Sequence, residues 1–366
     1  MPKGVWVKVL HLLRVYVDTM KLRRLVKIIP ILLLVSCLDP IDFSIDQGLT
    51  QGISIDAKLI ASSPPQLRMV AERLFNYDLN SRQRVSMKSV LLENSLGERI
   101  EIPQGATGVY YLEIEDPGFT VEDGISYRLV ITQIDGAMME TAFEPLWSIP
   151  QSSELDKSLI EVERIDASLG LVTIPAFQIS ATIPAESSEP EAKARMRWDM
   201  QETYRLTDDS SRVCYLTGNH DVLNVRVFDG NILQGGGSVP LTQRSITPFL
   251  AEGYYMSAIR ESLSETAFTH WQNLETVVER EGGQFEPTAG RLATNYRYIS
   301  DNPPGEIFGF FYATTQDTSR IYISPDEAGS PTPFCQIEVD GPAFPCENCL
   351  EDEGATLTKP VWWIAD

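Results

Sequence analysis

Short runs in which apolar and polar residues alternate dominate this chain. Between Ile53 and Trp147 they fall at Gln66–Leu74, Arg84–Leu92, Val109–Ile114 and Tyr127–Ile134, divided by Gly, Pro, Asn and Asp. A period of two puts one face of a strand in a core and the other in water, so the spacing predicts a small antiparallel sandwich over 53–147. Ser148–Lys157, with Pro150 and Ser152-Ser153, reads as a linker. Beyond it, Leu171–Ser180 and Ala192–Leu206 open a second region. There Ala194, Met196, Trp198 and Met200 alternate with Arg195, Arg197, Asp199 and Gln201, which predicts one buried and one wet face. Arg212–Gly218, Asn224–Phe228, Tyr254–Arg260, Ile307–Thr314 and Arg320–Ser324 read as further strands.

One segment breaks the period of two. Ser262-Leu-Ser-Glu265 has the form of a capping box, Phe268, Trp271, Leu274 and Val278 recur at helical spacing, and Gly282 supplies a stop, so a helix is expected over 263–281. Its aromatic stripe reads as core rather than as a ligand platform. The fold class expected is mainly β. Two antiparallel β-sandwich regions of Ig-like or Greek-key type, 53–147 and 158–330, would carry one helix inserted in the second. A disulfide-tied C-terminal tail over 331–366 would follow, ending in Trp362-Trp363.

The first residues form a different kind of segment. Lys21, Arg23, Arg24 and Lys27 precede a short apolar run from Ile28 to Val35, the order of a secretory signal peptide. Pro30 interrupts the run, which is well short of the roughly 20 apolar residues a spanning helix needs. Leu34, Val35 and Ser36 before Cys37 resemble a lipobox: a small residue lets the peptidase reach the bond, and the Cys37 thiol accepts diacylglycerol. Cleavage is expected before Cys37, translation is expected to start at Met20, and residues 1–36 comprise an upstream extension plus the signal peptide. Two or three acyl chains such as palmitate anchor stably where one binds reversibly. Residues 37–52, with Asp39, Pro40, Asp42 and Asp46, read as a lipidated tether.

Charge narrows the partners. The chain carries a formal −21, and residues 1–36 hold seven Lys/Arg against one Asp, a surplus of six, so the remainder carries −27. A body this acidic is a poor partner for nucleic acid and is repelled by anionic headgroups, which leaves the lipid to do the anchoring. Its roughly 330 residues suggest two domains rather than one.

Candidate chemistry is sparse. Gly218-Asn219-His220-Asp221 copies one metal-binding block of calcineurin-like phosphoesterases, but beyond Cys37 the chain has only His220 and His270, so the remaining blocks cannot be built. The segment reads as a turn between strands. The same scarcity weakens a Ser-His-Asp or Cys-His nucleophile. No nucleophile elbow, zinc-protease motif or phosphate loop occurs, and Gln234-Gly235-Gly236-Gly237 reads as a hairpin loop. No catalytic residue, cofactor or metal is expected. Cys214, Cys335, Cys346 and Cys349 remain once Cys37 is lipidated. An even number in an oxidising compartment points to disulfides, with Cys346-Glu-Asn-Cys349 as half of a zinc site the alternative. If all four pair within one chain, Cys214 must bond a tail cysteine.

Several stretches, in their order along the chain, resemble one family. They are the lipobox, the two-part β body, Tyr255–Trp271 (YMSAIRESLSETAFTHW), Glu286-Pro287 with Asn295, Ile307-Phe-Gly-Phe-Phe311, and Cys346-x-x-Cys349 with Lys359-Pro-Val-Trp362. Together they look like the Bacteroidetes lipoprotein family called domain of unknown function 4249. Ala293-Thr294-Asn295 departs from it, lacking the Gly expected before the Asn. The resemblance implies a surface-exposed outer-membrane lipoprotein, often encoded beside a TonB-dependent outer-membrane receptor, and implies no known activity. The function expected is a non-enzymatic accessory or ligand-binding partner of such a receptor. A carboxylate-based hydrolase of surface glycan or peptide is the rival, and a structural or adhesion module the third reading.

Overall fold

A computed structural model describes residues 52–73, 83–166, 170–220, 225–231, 237–278, 292–300, 303–336 and 346–364. Leu34, Val35, Ser36 and Cys37, the tether up to Gln51, Asp221, Gln234–Gly236, the end of the expected helix at 279–281 and Glu286-Pro287 lie outside the described residues.

The first part of the chain forms β1 (Ile53–Ile60), β2 (Gln66–Arg73), β3 (Met87–Asn94), β4 (Arg99–Glu101), β5 (Val109–Glu113), β6 (Ser126–Gln133), β7 (Met138–Thr141) and β8 (Glu144–Pro145). There follow β9 (Leu155–Asp166), β10 (Gly170–Thr182), β11 (Arg195–Thr207), β12 (Val213–Asn219), β13 (Arg226–Asp229), β14 (Ser238–Ser245) and β15 (Tyr254–Ser262). Helix α1 (Glu265–Val278) comes next, and then β16 (Tyr296–Tyr298), β17 (Ile307–Phe308), β18 (Phe311–Thr314), β19 (Gln316–Ile323) and β20 (Ala355–Thr356). The protein is mainly β, with four sheets and one described α-helix.

Period-two burial explains the packing. In β1 Ile55, Ala57 and Leu59 are buried, and in β2 Leu67, Met69 and Ala71 are. They share a core with Val90, Leu92, Leu129, Ile131 and Met139 of β3, β6 and β7. A second core joins Phe177, Ile179 and Leu241 of β10 and β14 to Met196, Trp198, Tyr254 and Met256 of β11 and β15. Burying each of these large apolar side chains contributes about 1.5–3 kcal/mol.

Late strands complete an early sheet. β17 and β18 run parallel to β1, pairing Ile53 with Ile307 and Ala57 with Phe311, whereas every other strand pair among the described residues is antiparallel. The sheet β17-β1-β2-β5 is therefore mixed, a departure from the expected wholly antiparallel pairing. Parallel neighbours need a long connection, and here the intervening chain supplies it. Gly309, between β17 and β18, sits at φ +91°, and a Cβ there would lie 2.2 Å from the Ile55 carbonyl oxygen. Only glycine lets the strand hug β1 this closely.

Three local expectations change. β9 begins at Leu155, inside the stretch expected as linker. Gly218 and Asn219 are paired residues of β12, opposite Glu202 and Gln201, rather than a turn. The cap of α1 is Ser264, whose hydroxyl accepts from the Ala267 amide at 3.1 Å. Ser262 closes β15 instead, and its hydroxyl accepts from the Thr315 amide at 2.8 Å. It is extended and two residues too early to cap.

The tail is held as a staple. Cys214 pairs with Cys349 and Cys335 with Cys346, so the four thiols form disulfides and the zinc alternative falls. Trp363 packs on Tyr215 and Tyr255, with centroids 5.1 and 4.8 Å apart. Among the described residues no helix is long and apolar enough to cross a membrane.

Candidate functional site

The strand alternation that fills the first core leaves the other face of the same sheet with Asp56 and Lys58 on β1 and Arg68 and Val70 on β2. β18 and the residue before it obey the same rule: Phe311 and Ala313 enter the first core, while Phe310 and Tyr312 join a small apolar cluster with Phe268 and Leu263. Helix α1 lies over this outer face and contributes His270, Trp271 and Leu274. Together with Arg197 of β11, these residues line a cavity of about 350 Å³.

Glu261 organises the charges at this place. It is 1 % exposed and lies directly across from Arg197 in the β11–β15 register. Its carboxylate accepts from Lys58 Nζ at 2.5 Å, Arg197 Nη1 at 3.1 Å and the Tyr312 hydroxyl at 2.8 Å. Burial pushes its pKa up, but Lys58, Arg197 and Tyr312 together outweigh that and hold it below the ordinary value. A buried carboxylate persists as an ion only with such partners. Burial and the neighbouring Glu261 keep Tyr312 a neutral phenol.

The walls are aromatic. The Arg197 guanidinium lies 4.0 Å from the Trp271 ring centroid, a cation–π contact. His270 stacks on Phe310 at 4.4 Å and meets Trp271 edge-on at 5.7 Å. Its Nδ1–H donates to the Ala293 carbonyl at 2.9 Å, which fixes the tautomer. Burial lowers the His270 pKa, partly opposed by that hydrogen bond, so the ring is neutral. Trp271 Nε1 and Arg197 Nε are buried donors without a partner among the described residues. Such groups are satisfied by an acceptor from a ligand or water.

Asn295 braces the site from behind. Its side chain donates to the Phe311 carbonyl at 2.7 Å and accepts from the Phe311 amide at 3.0 Å, fixing β18. Glu144, raised in pKa by burial, accepts from Ser264 and Thr266 at 2.7 Å each and so ties β8 to the start of α1.

The residues singled out from sequence distribute unevenly. The stretch Tyr255–Trp271 supplies Glu261, His270 and Trp271, and Ile307–Phe311 supplies Phe310. The aromatic stripe of α1 is not all core: Phe268 is buried, Trp271 and Leu274 line the cavity, and Val278 is 38 % exposed. Cys214, Cys335, Cys346 and Cys349 lie in the disulfides, outside this lining. His220 stands elsewhere, its Nδ1 donating to Glu202 at 3.3 Å. Among the described residues no cluster of three His, Cys, Asp or Glu could hold a metal ion. Lys58, Arg68 and Arg197 were not singled out as site residues. The available signal was a charged residue between buried ones on strands whose outer face a helix could cover.

Residues 39–320 match the model of one protein family, described as Domain of unknown function (DUF4249). No curated protein and no solved structure matches the chain.

Proposed function

We propose, for a chain that belongs to the family Domain of unknown function (DUF4249), that it is a lipid-anchored binding protein that holds a small ligand between β1–β2 and α1. The observation that carries this reading is the cavity of about 350 Å³ in which the aromatic residues His270, Trp271 and Phe310 meet the cations Lys58, Arg68 and Arg197. That volume lies within the roughly 300–1,000 Å³ of small-molecule sites, which combine apolar walls with a few placed polar groups. The ligand is expected to have a flat or apolar body against Trp271 and Phe310, and a carbonyl, carboxylate or hydroxyl oxygen within reach of Arg68 or Arg197.

The lipid anchor is Cys37, presented by Leu34, Val35 and Ser36, with 37–52 as the tether and the sheet pairs, read as two Greek-key sandwiches, as the rigid platform. The disulfides favour an extracytoplasmic compartment. The resemblance to Bacteroidetes surface lipoproteins favours the outer membrane and a TonB-dependent receptor as partner. Native mass spectrometry of the protein extracted in mild detergent from its own membranes tests the binding role. A bound small molecule is expected in the wild type and is lost in a folded Trp271→Ala variant. Equal occupancy in both, or none in either, overturns it.

A further inference from the structure

Charges around the cavity at Trp271 are matched unevenly. Glu261 takes Lys58 at 2.5 Å and Arg197 at 3.1 Å, and Arg197 lies 3.9 Å from Asp199 as well. Those cations are satisfied within the protein. The other charged lining residues are one of each sign, Asp56 of β1 and Arg68 of β2. Among the described residues neither makes an ion pair. Arg68 donates to Gln66 Oε1 at 3.2 Å and lies 5.7 Å from the Tyr111 ring centroid, and neither of these neighbours is an anion. Asp56 is exposed, yet desolvation by the walls around it, joined by the neighbouring Glu72, pushes its pKa up. A carboxylate already held beside a cation shifts the other way.

The strand register sets these groups in order across the sheet. Lys58 pairs with Tyr312 of β18 on one side and with Arg68 of β2 on the other, while Asp56, two residues earlier on the same face, stands opposite Val70. Trp271 meets Tyr312 edge-on at 5.9 Å, so the aromatic wall stands on the β18 side. Neighbouring strands are about 4.8 Å apart. A ligand crossing from that side meets the aromatic rings first, the Asp56 carboxylate next and the Arg68 guanidinium last. At about 30 Å³ for each water-sized group, a cavity of about 350 Å³ holds roughly a dozen of them, which matches the non-hydrogen atoms of phenylalanine.

We infer that this cavity recognises an aromatic amino acid through both of its charges. The ammonium group meets Asp56, the carboxylate meets Arg68 in the geometry a guanidinium favours, and the ring lies against Trp271 and Phe310. The inference rests on the reading of this cavity as a ligand site. A free amino acid and a dipeptide with an aromatic first residue both carry the two charges, at different spacing.

Calorimetric titration of the protein in mild detergent, dialysed free of small molecules, tests it. The probes are L-phenylalanine, phenylalanyl-glycine, phenylpropionate, which lacks the ammonium group, and phenethylamine, which lacks the carboxylate. L-phenylalanine or the dipeptide is expected to bind about tenfold more tightly than either singly charged probe, the loss of one charge-assisted contact. The tighter of the two fixes the spacing of the charges. Asp56→Asn should weaken that zwitterion about tenfold and leave phenylpropionate no weaker. Arg68→Gln should weaken the zwitterion and phenylpropionate alike while sparing phenethylamine. Both residues are exposed, so both variants should fold. A singly charged probe that binds as tightly as the zwitterions, an affinity for the zwitterion unchanged in Asp56→Asn, or no binding of either zwitterion each overturns the inference. The binding role is judged separately, by native mass spectrometry. A wild type that carries a small molecule from its own membranes but binds neither zwitterion keeps that role and loses this inference.

Discussion

Arg197 and Glu261 stand directly opposite each other on β11 and β15, joined at 3.1 Å, with the Arg197 guanidinium also lying over Trp271. One carboxylate therefore neutralises Lys58 and Arg197 while the aromatic wall covers them. Removing it leaves Lys58 without its anion and Arg197, a largely buried cation, with only Asp199 at 3.9 Å. Glu261→Gln is expected to cost about 3–5 kcal/mol, the usual penalty for breaking a buried pair from one side. The midpoint of chemical denaturation reads this directly, and a Glu261→Gln protein as stable as wild type would contradict it.

His270 gives the site a pH signature. Burial holds its folded pKa below the ordinary value of about 6.5. As pH falls below that, the unfolded chain takes up the proton first, so folding stability declines until the folded-state pKa is passed. The wild type should lose stability relative to His270→Gln as pH drops through this window, and the difference should be flat above about pH 7. Parallel melting curves for the two proteins from pH 7.5 down to 5 would show that the ring does not carry the effect.

Strands with clean alternation were legible from sequence, and β11 is the clearest case. Met196, Trp198 and Met200 are buried just where period two puts them. β9 was not legible as a whole, because Leu159 and Ile165 are exposed and no buried stripe marks it. The pairing of β1 with β17 and β18 joins residues more than two hundred positions apart, which no local pattern encodes. The site suffered from the same gap. Arg197 sits on the face of β11 that sequence alone assigns to water, and only the packing of α1 and β1 turns that face inward. Trp271 has ordinary core spacing, and what makes it a wall is that its neighbours leave a void.

The proposed membrane anchor rests on one thiol, Cys37. With Cys37→Ser, no acyl chain can be added, and an acidic body has little affinity for anionic headgroups. The variant should stay unprocessed or appear in the soluble fraction after lysis. Fractionation that finds it tightly membrane-bound with residues 1–36 removed would rule the lipid anchor out.

Gly309→Ala should disturb the junction of β18 with β1. The residue would occupy φ +91° with its Cβ 2.2 Å from the Ile55 carbonyl oxygen, so backbone must move. Strained backbone of this kind costs about 1–3 kcal/mol before the clash is added. Hydrogen exchange at the Ala57 amide, which donates to the Phe310 carbonyl at 3.2 Å, should accelerate more than at β11. Unchanged protection there would mean the strand tolerates the side chain.

The tail offers the sharpest stability test. The Cys214–Cys349 bridge joins residues 135 positions apart. In the chain-entropy model, closing so long a loop removes freedom from the unfolded chain worth on the order of 4–5 kcal/mol. The bridge also sets the approach of the last residues. Beyond it, Ala355 and Thr356 pair with Leu216 and Tyr215, and Trp363, 4 % exposed, covers Tyr255. Gly253 lies beneath, where a Cβ would meet the Trp363 ring at 3.3 Å. Bridge and ring should act in series: Cys214→Ser lowers the melting temperature and opens the chain after Cys346 to protease. Trp363→Ala is expected to cost about 3–5 kcal/mol while leaving the bridge intact in non-reducing peptide maps. Because the bridge acts on the unfolded chain and the ring on the folded one, the two losses should be nearly additive in the double variant, unless freeing the tail already releases Trp363. Limited proteolysis separates these cases. If Cys214→Ser alone exposes the tail as fully as the double variant, the bridge is what holds Trp363 in place. A Cys214 found as a free thiol in the native protein would defeat both arms.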